Sequence, residues 1–178
     1  KARTAKKAAT KFVENYEVFK EKGKGLYLYS YVKGSGKTRL AASLGNALVN
    51  VHRAGVKFIT TLDLLDEIKA TYNKESALNE NGLINAIKEI DVLVLDDIGV
   101  EEPTPWVKEK LYNILNGRMI SNKITIFTSN STIEELKHDD RIKNRIEKMA
   151  VPIYLPDESI RSAIAKKEND ELQGLLFD

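Results

Sequence analysis

The feature that most constrains this chain is Gly34-Ser35-Gly36-Lys37-Thr38. It stands between a short apolar run, Leu26-Tyr27-Leu28-Tyr29, and a stretch of helical periodicity from about Lys37 to Arg53. A strand that turns through glycines into a helix N-terminus brings free backbone N–H groups and a helix dipole to one point, which suits a phosphate. Gly34 and Gly36 permit the turn, Lys37 can reach terminal phosphates as a point charge, and the Thr38 hydroxyl can ligate Mg2+. Lys33, Ser35 and Arg39 complete the candidate loop. The competing reading is a chance GSGKT in a lysine-rich loop; the strand before it and the helix after it weigh against that. The full phosphate-loop pattern asks for glycine five residues before Gly36, where this chain has Tyr31, so the first loop residue has a side chain to accommodate.

Strand and helix alternate along the rest of the chain. Strands are expected at Leu26–Tyr29, Val56–Thr60, Asp91–Asp96, Ile124–Thr128 and Val151–Leu155. Between them, helices are expected from Lys37 to a close at Gly55, from Thr61 to about Asn73, around Leu83–Glu89, and after Pro103 and Pro105 through Trp106, Leu111, Ile114 and Leu115. An amphipathic helix over Thr4–Lys22, with Phe12, Tyr16 and Phe19 on one face, precedes them, and a helical tail follows Pro156. This is the pattern of an α/β fold, a parallel five-stranded sheet flanked by helices. Ligands of such sheets sit at the carboxyl ends of the strands.

The 178 residues suit one domain, and 42% hydrophobic with 30% charged residues excludes a disordered chain. With no cysteine there is neither a disulfide framework nor a thiolate zinc site, which fits a cytoplasmic protein. No apolar run reaches the length of a membrane span, and no apolar signal core follows the basic first residues. A start at Lys1 rather than Met implies that something upstream was trimmed, so residues 1–22 are expected as an N-terminal helix and linker and 23–178 as the catalytic domain. Net charge is only +2, yet residues 1–39 are strongly basic; that end is either a solvated helix face or a nucleic-acid contact.

Other candidate residues follow strands. Val92-Leu93-Val94-Leu95 ends in Asp96 and Asp97. Asp96 suits Mg2+ ligation through water, and Asp97 suits orienting or deprotonating an attacking water; two acids that merely cap a turn are the bland alternative. Ile124-Thr125-Ile126-Phe127-Thr128-Ser129 leads to Asn130, either a turn residue or a group that positions the attacking water. Arg141 and Arg145 lie four apart on one helical face, either solubilising an exposed helix or reaching a phosphoryl group in a neighbouring subunit. Arg161 opens the expected last helix and can approach the γ-phosphate from above.

Together these residues resemble an AAA+ ATPase, and within that class the DnaC/DnaI-like bacterial helicase loaders, with a pattern similar to phage- or prophage-type loaders. The resemblance is carried by Leu95-Asp96-Asp97-Ile98-Gly99 with Glu101 just after, by Trp106-Val107, by Gly25-Leu26-Tyr27-Leu28-Tyr29, and by Phe127-Thr128-Ser129-Asn130, which is similar to a sensor 1 segment. Asp140-Arg141-Ile142-Lys143-Asn144-Arg145-Ile146 resembles the arginine-finger box of the initiator DnaA, which places the finger on Arg145 with Arg141 beside it. Arg161 looks like a sensor 2 arginine, on the remnant of a C-terminal helical lid. The resemblance implies ATP and Mg2+ as cofactors, weak hydrolysis until assembly, and a homo-oligomer with ATP at subunit interfaces. It also implies a replicative DNA helicase and single-stranded DNA as partners. An IstB-like transposition helper keeps the same ATPase with a transposase as partner. A P-loop small-molecule kinase would use the three arginines as a lid, but Asn130 and the paired acids favour hydrolysis. A nucleotide-gated binding module with negligible turnover is the remaining reading.

Overall fold

A computed structural model describes residues 2–72, 79–157 and 168–170, with side chains from Thr4 onward. The elements are α1 (Ala2–Glu14), α2 (Tyr16–Glu21), β1 (Gly25–Tyr29), α3 (Lys37–His52), β2 (Val56–Thr60), α4 (Thr61–Ala70), α5 (Glu80–Glu89), β3 (Val92–Asp96), α6 (Pro105–Ile120), β4 (Ile124–Ser129), α7 (Asp140–Met149) and β5 (Ala150–Tyr154). The five strands form one sheet in the order β2-β3-β4-β1-β5, and every pairing is parallel.

Alternation along the strands builds two cores. Val92 and Val94 of β3, Ile124 and Ile126 of β4 and Leu26 and Leu28 of β1 face a core shared with α1 and α3. Leu93, Leu95, Phe127 and Tyr27, one residue out of phase, face the larger core under α4, α5, α6 and α7. Both faces are buried at the centre of the sheet, so β3 reads as an apolar run up to Asp96, and β4 is buried along its whole length, Thr125, Thr128 and Ser129 included. The result is a helix–sheet–helix sandwich whose strands all end on the same side. Among the described residues, no helix is long and apolar enough to cross a membrane.

Several element boundaries differ from expectation. The single helix expected over Thr4–Lys22 is two, because Asn15 leaves the helical conformation with φ −109° and ψ 23°. Its side-chain amide donates to the Lys11 carbonyl at 2.8 Å, a local bond that competes with continuing the helix. Ala5, Ala9, Phe12 and Tyr16 nevertheless share one buried face, and this core runs across residue 22 into β1. Helix α3 closes on Arg53 in the left-handed conformation (φ 55°), two residues before Gly55. Helix α5 starts earlier than expected because the Asn79 side chain accepts from the Gly82 N–H at 2.7 Å, a helix N-cap. The polar stretch at 73–78, Arg161 and nearly all of the tail expected as a lid lie outside the described residues.

Candidate functional site

The loop after β1 is held by contacts the sequence does not announce. Gly34 and Gly36 adopt φ of +84° and +93°, conformations in which successive backbone N–H groups line a concavity suited to anions. Among described non-glycine residues only Arg53, Asp97 and Asn122 have positive φ. Tyr31 therefore needs no glycine, and its departure from the usual pattern costs nothing in backbone strain. Its exposed ring packs edge-on against Tyr29, with centroids 6.5 Å apart. The Asp157 carboxylate ties the start of this loop to the end of β5. Its Oδ1 accepts from the Ser30 hydroxyl at 3.0 Å and the Tyr31 N–H at 3.2 Å, while the Tyr154 hydroxyl donates to Oδ2. These donors, Tyr154 first, hold the Asp157 carboxyl below the usual carboxylate range.

Lys37, the first residue of α3, is buried within the loop. Its ammonium donates to the Ser30 carbonyl at 3.4 Å, the Val32 carbonyl at 3.3 Å and the Ser35 hydroxyl at 3.4 Å. These are long bonds to neutral oxygens, so a phosphate oxygen is a stronger acceptor for the same cation. Thr38 and Arg39 beside it, and Lys33 in the loop, are exposed.

The paired acids close β3, Asp96 as its last residue and Asp97 just after it, next to β4 and two strands from β1. Asp96 is buried at 3% exposure, and its Oδ1 accepts from the Thr128 hydroxyl at 2.6 Å. The same Thr128 oxygen accepts from the Asp97 N–H at 2.8 Å. One threonine of β4 thus orients both acids, and Asp97 is held in the left-handed region at φ 55°. Sequence reading missed Thr128 and Asp157. Their signals were weak, a threonine two residues before Asn130 and an acid just after the last strand, and neither reveals its partner without the sheet order.

Asn130 follows β4 and is half-buried. Because β4 lies between β1 and β3, with Tyr29 opposite Ser129 and Leu95 opposite Phe127, Asn130 emerges between the phosphate loop and the acids. The two arginines of α7 differ. Arg145 donates to Asn116 Oδ1 at 3.0 Å, to the Tyr112 hydroxyl at 2.7 Å and to the Arg141 carbonyl at 2.9 Å, with its guanidinium 4.2 Å from the Tyr112 ring centre. The Arg141 side chain is 70% exposed, pairs with Asp139 at 3.3 Å, and holds its guanidinium 5.3 Å from the centre of the same Tyr112 ring.

Two further features test the site for ATP and Mg2+. A cleft of about 660 Å³ opens beside the phosphate loop, between α1 and α3, lined by Ala5, Ala9, Ser35, Gly36, Leu40 and Leu155 among others. Apolar walls beside a turn suited to anions offer one surface of each kind that a nucleotide needs. Among the described residues no group of three or more His, Cys, Asp or Glu could hold a metal alone. The donor set of Thr38 hydroxyl and Asp96 carboxylate fits Mg2+, which takes one or two protein ligands and completes its shell with phosphate and water.

The strand order, the glycine turn into α3 and the two acids ending the strand beyond β4 define the class: an α/β P-loop domain of the AAA+ type. Residues 1–151 match the bacterial DnaA ATPase domain family. The chain belongs to that family, among the relatives of the DnaI and DnaC replicative helicase loaders. Replicative helicase loader DnaI of Bacillus subtilis (strain 168) is 33% identical over 167 residues, spanning 85% of this chain and 52% of that protein. Replicative helicase loader DnaC of Escherichia coli (strain K12) is 29% identical over 145 residues, 80% of this chain and 58% of that protein. The crystal structure of DnaI superposes with a TM-score of 0.73 at 32% identity, covering 86% of this chain and 84% of that one. The chain spans about half the length of the curated relatives it matches.

Proposed function

We propose that this chain is the ATP-hydrolysing domain of a replicative helicase loader, whose partners are a replicative DNA helicase, single-stranded DNA and further copies of itself. The observation that carries this reading is the meeting of Lys37, the Asp96–Asp97 pair and Asn130 at one end of the sheet, in a chain one-third identical to a named loader. Nothing favours the transposition or kinase readings over it.

The proposed roles follow from chemistry. Backbone amides of Lys33, Gly34, Ser35 and Gly36 cradle phosphate oxygens, Lys37 pairs with the terminal phosphates, and Thr38 and Arg39 extend the cradle along α3. The base lies in the apolar cleft against α1. Thr38 and Asp96 would hold Mg2+, which when bound neutralises phosphate charge and orients the leaving oxygens. Asp97 accepts the proton of the attacking water, and Asn130 orients that water between the strands. Arg145 or Arg141 of a neighbouring copy stabilises charge that develops in the transition state. Arg145 is braced against α6, which suits a preorganised donor; Arg141 is the more exposed of the two. Arg161 is proposed as the sensor of the γ-phosphate.

The test has two arms. Gel filtration of the chain with its own host's replicative helicase, with and without ATP, should show co-elution and faster ATP turnover in the mixture. Lys37→Ala should weaken ATP binding more than tenfold by calorimetry, because a charge-assisted phosphate contact is worth about 1.5–3 kcal/mol. Unchanged affinity removes the nucleotide site; intact ATP binding with no helicase contact removes the loader.

A further inference from the structure

A buried histidine–glutamate couple follows the acids in the chain, and none of the roles above uses it. His138 Nε2 and Glu101 Oε1 are 2.5 Å apart, and both side chains are 1% exposed. Glu101 follows Asp97 by four residues, and its second oxygen accepts from the Gly99 N–H at 2.9 Å. His138 directly precedes Asp139, whose side chain accepts from the Ile142 N–H at 3.2 Å and so caps the arginine helix α7.

The couple joins two segments that carry opposite halves of the proposed chemistry. On one side is the loop 97–101, where Asp97 sits at φ 55° and Gly99 at φ +94°. Gly99 is pressed so closely on Leu136 that an added Cβ would lie 2.6 Å from its methyl carbon. On the other side is the segment leading into Arg141 and Arg145. A non-glycine residue in the left-handed region persists only when its surroundings over-determine it. Here Thr128 fixes the Asp97 N–H from β4, and Glu101 fixes Gly99 on the far side of the same turn. The Glu101 carboxylate is buried with the imidazole as its side-chain partner. Without His138 it would be a buried acid with one amide donor, a costly arrangement that it relieves by turning out of its pocket. That movement frees Gly99 and leaves the turn that aims Asp97 held from β4 alone, through the Asp97 N–H and the N–H and carbonyl of Ile98.

Resting on the proposal that Asp97 activates water, we infer that His138 and Glu101 are positioning residues for hydrolysis. The couple holds the Asp97 turn in its productive conformation and registers it against the segment that starts α7. It acts on the chemical step and not on nucleotide binding, because the phosphate loop contributes no atom to it.

The experiment compares His138→Leu, His138→Gln and Asp97→Asn in the assembled protein. The readouts are kcat, KM, nucleotide affinity by calorimetry, and melting temperature. Misplacing a base by about an ångström costs up to roughly a hundredfold in rate. His138→Leu should therefore lower kcat by about ten- to a hundredfold, with KM and nucleotide affinity within about twofold. Glutamine keeps an N–H that reaches Glu101, so His138→Gln should recover most of the rate. Should His138→Leu not fold, His138→Asn, polar but too short to reach Glu101, must show the same loss. The inference is overturned if the Leu or Asn variant keeps normal kcat, if Gln gives no recovery, or if affinity falls in step with kcat. If Asp97→Asn itself hydrolyses normally, it is the catalytic role of Asp97 that fails, and that outcome is distinct from the first.

Discussion

Asp97→Asn is expected to lower ATP turnover by about 10²–10⁴-fold while leaving ATP affinity within a few-fold of normal, because a positioned general base contributes about that much to proton transfer. The substitution isolates chemistry unusually well. The backbone at Asp97 is left-handed, φ 55°, a conformation that asparagine tolerates as readily as aspartate. The N–H that binds Thr128 is unchanged by the substitution, so the turn should survive. What is lost is a carboxylate able to accept a proton. Asp96→Asn should behave differently. Asp96 is the proposed metal ligand, so that variant should weaken Mg2+-dependent binding itself. Steady-state rates together with calorimetry in Mg2+ and in EDTA separate the two. Normal hydrolysis in both variants would contradict the assignment of these acids.

Arg118→Met is expected to destabilise the fold by about 3–5 kcal/mol, a large share of the roughly 5–15 kcal/mol that holds a domain together. Arg118 is fully buried on α6 and spends its guanidinium on backbone oxygens. It donates to the carbonyls of Ile87 at 2.6 Å, Ile90 at 2.9 Å and Ile124 at 2.5 Å, and to the Thr125 hydroxyl at 3.0 Å. One side chain thereby satisfies the carboxyl end of α5 and pins it to the start of β4. Burial pushes its pKa down to about 10, so it remains a cation at neutral pH and faces the negative end of the α5 dipole. Methionine fills similar space but strands each of these oxygens, at about 1–3 kcal/mol apiece before relaxation. At about 2–4 °C per kcal/mol for a domain of this size, the melting temperature should fall by roughly 6–20 °C. Lysine should rescue only partly, since a point ammonium cannot reproduce the fork. A loss under about 1 kcal/mol would mean that α5 is held by its apolar face alone.

The parts of the molecule governed by local rules were legible in the sequence. Central parallel strands buried on both faces announce themselves as apolar runs, and a glycine turn between strand and helix announces a phosphate site; these strands, the β-branched edge strands β2 and β5 and the loop at Gly34–Thr38 were placed within about a residue. Boundaries set by a single side chain were not. Asn15 breaks the first helix through one bond to Lys11, and Arg53 takes the left-handed close that Gly55 was expected to supply. Partners distant in sequence were invisible for a different reason. Thr128 with Asp96 and Glu101 with His138 meet because β4 lies beside β3, and Ser30 with Asp157 because β5 lies beside β1. Arg118 did leave a trace. It falls on the stripe Val107, Leu111, Ile114, Leu115, where periodicity demands an apolar residue. A charge on that stripe signals either an error in the helix or a buried cation with a set of acceptors, and the fold decides for the second.

The central claim is that the chain hydrolyses ATP at a site completed by another copy. An arginine acting in trans adds nothing to its own subunit's site, so a variant lacking both Arg141 and Arg145 should bind ATP normally yet hydrolyse it poorly, because the guanidinium acts chiefly in the transition state. Mixing that variant with Lys37→Ala under conditions where assembly is verified by light scattering gives the most direct measurement. Some interfaces then pair an intact phosphate loop with intact arginines, and ATPase activity of the mixture should rise well above the sum of the two inactive parents. A mixture that assembles and stays at the sum of its parents would contradict the shared site.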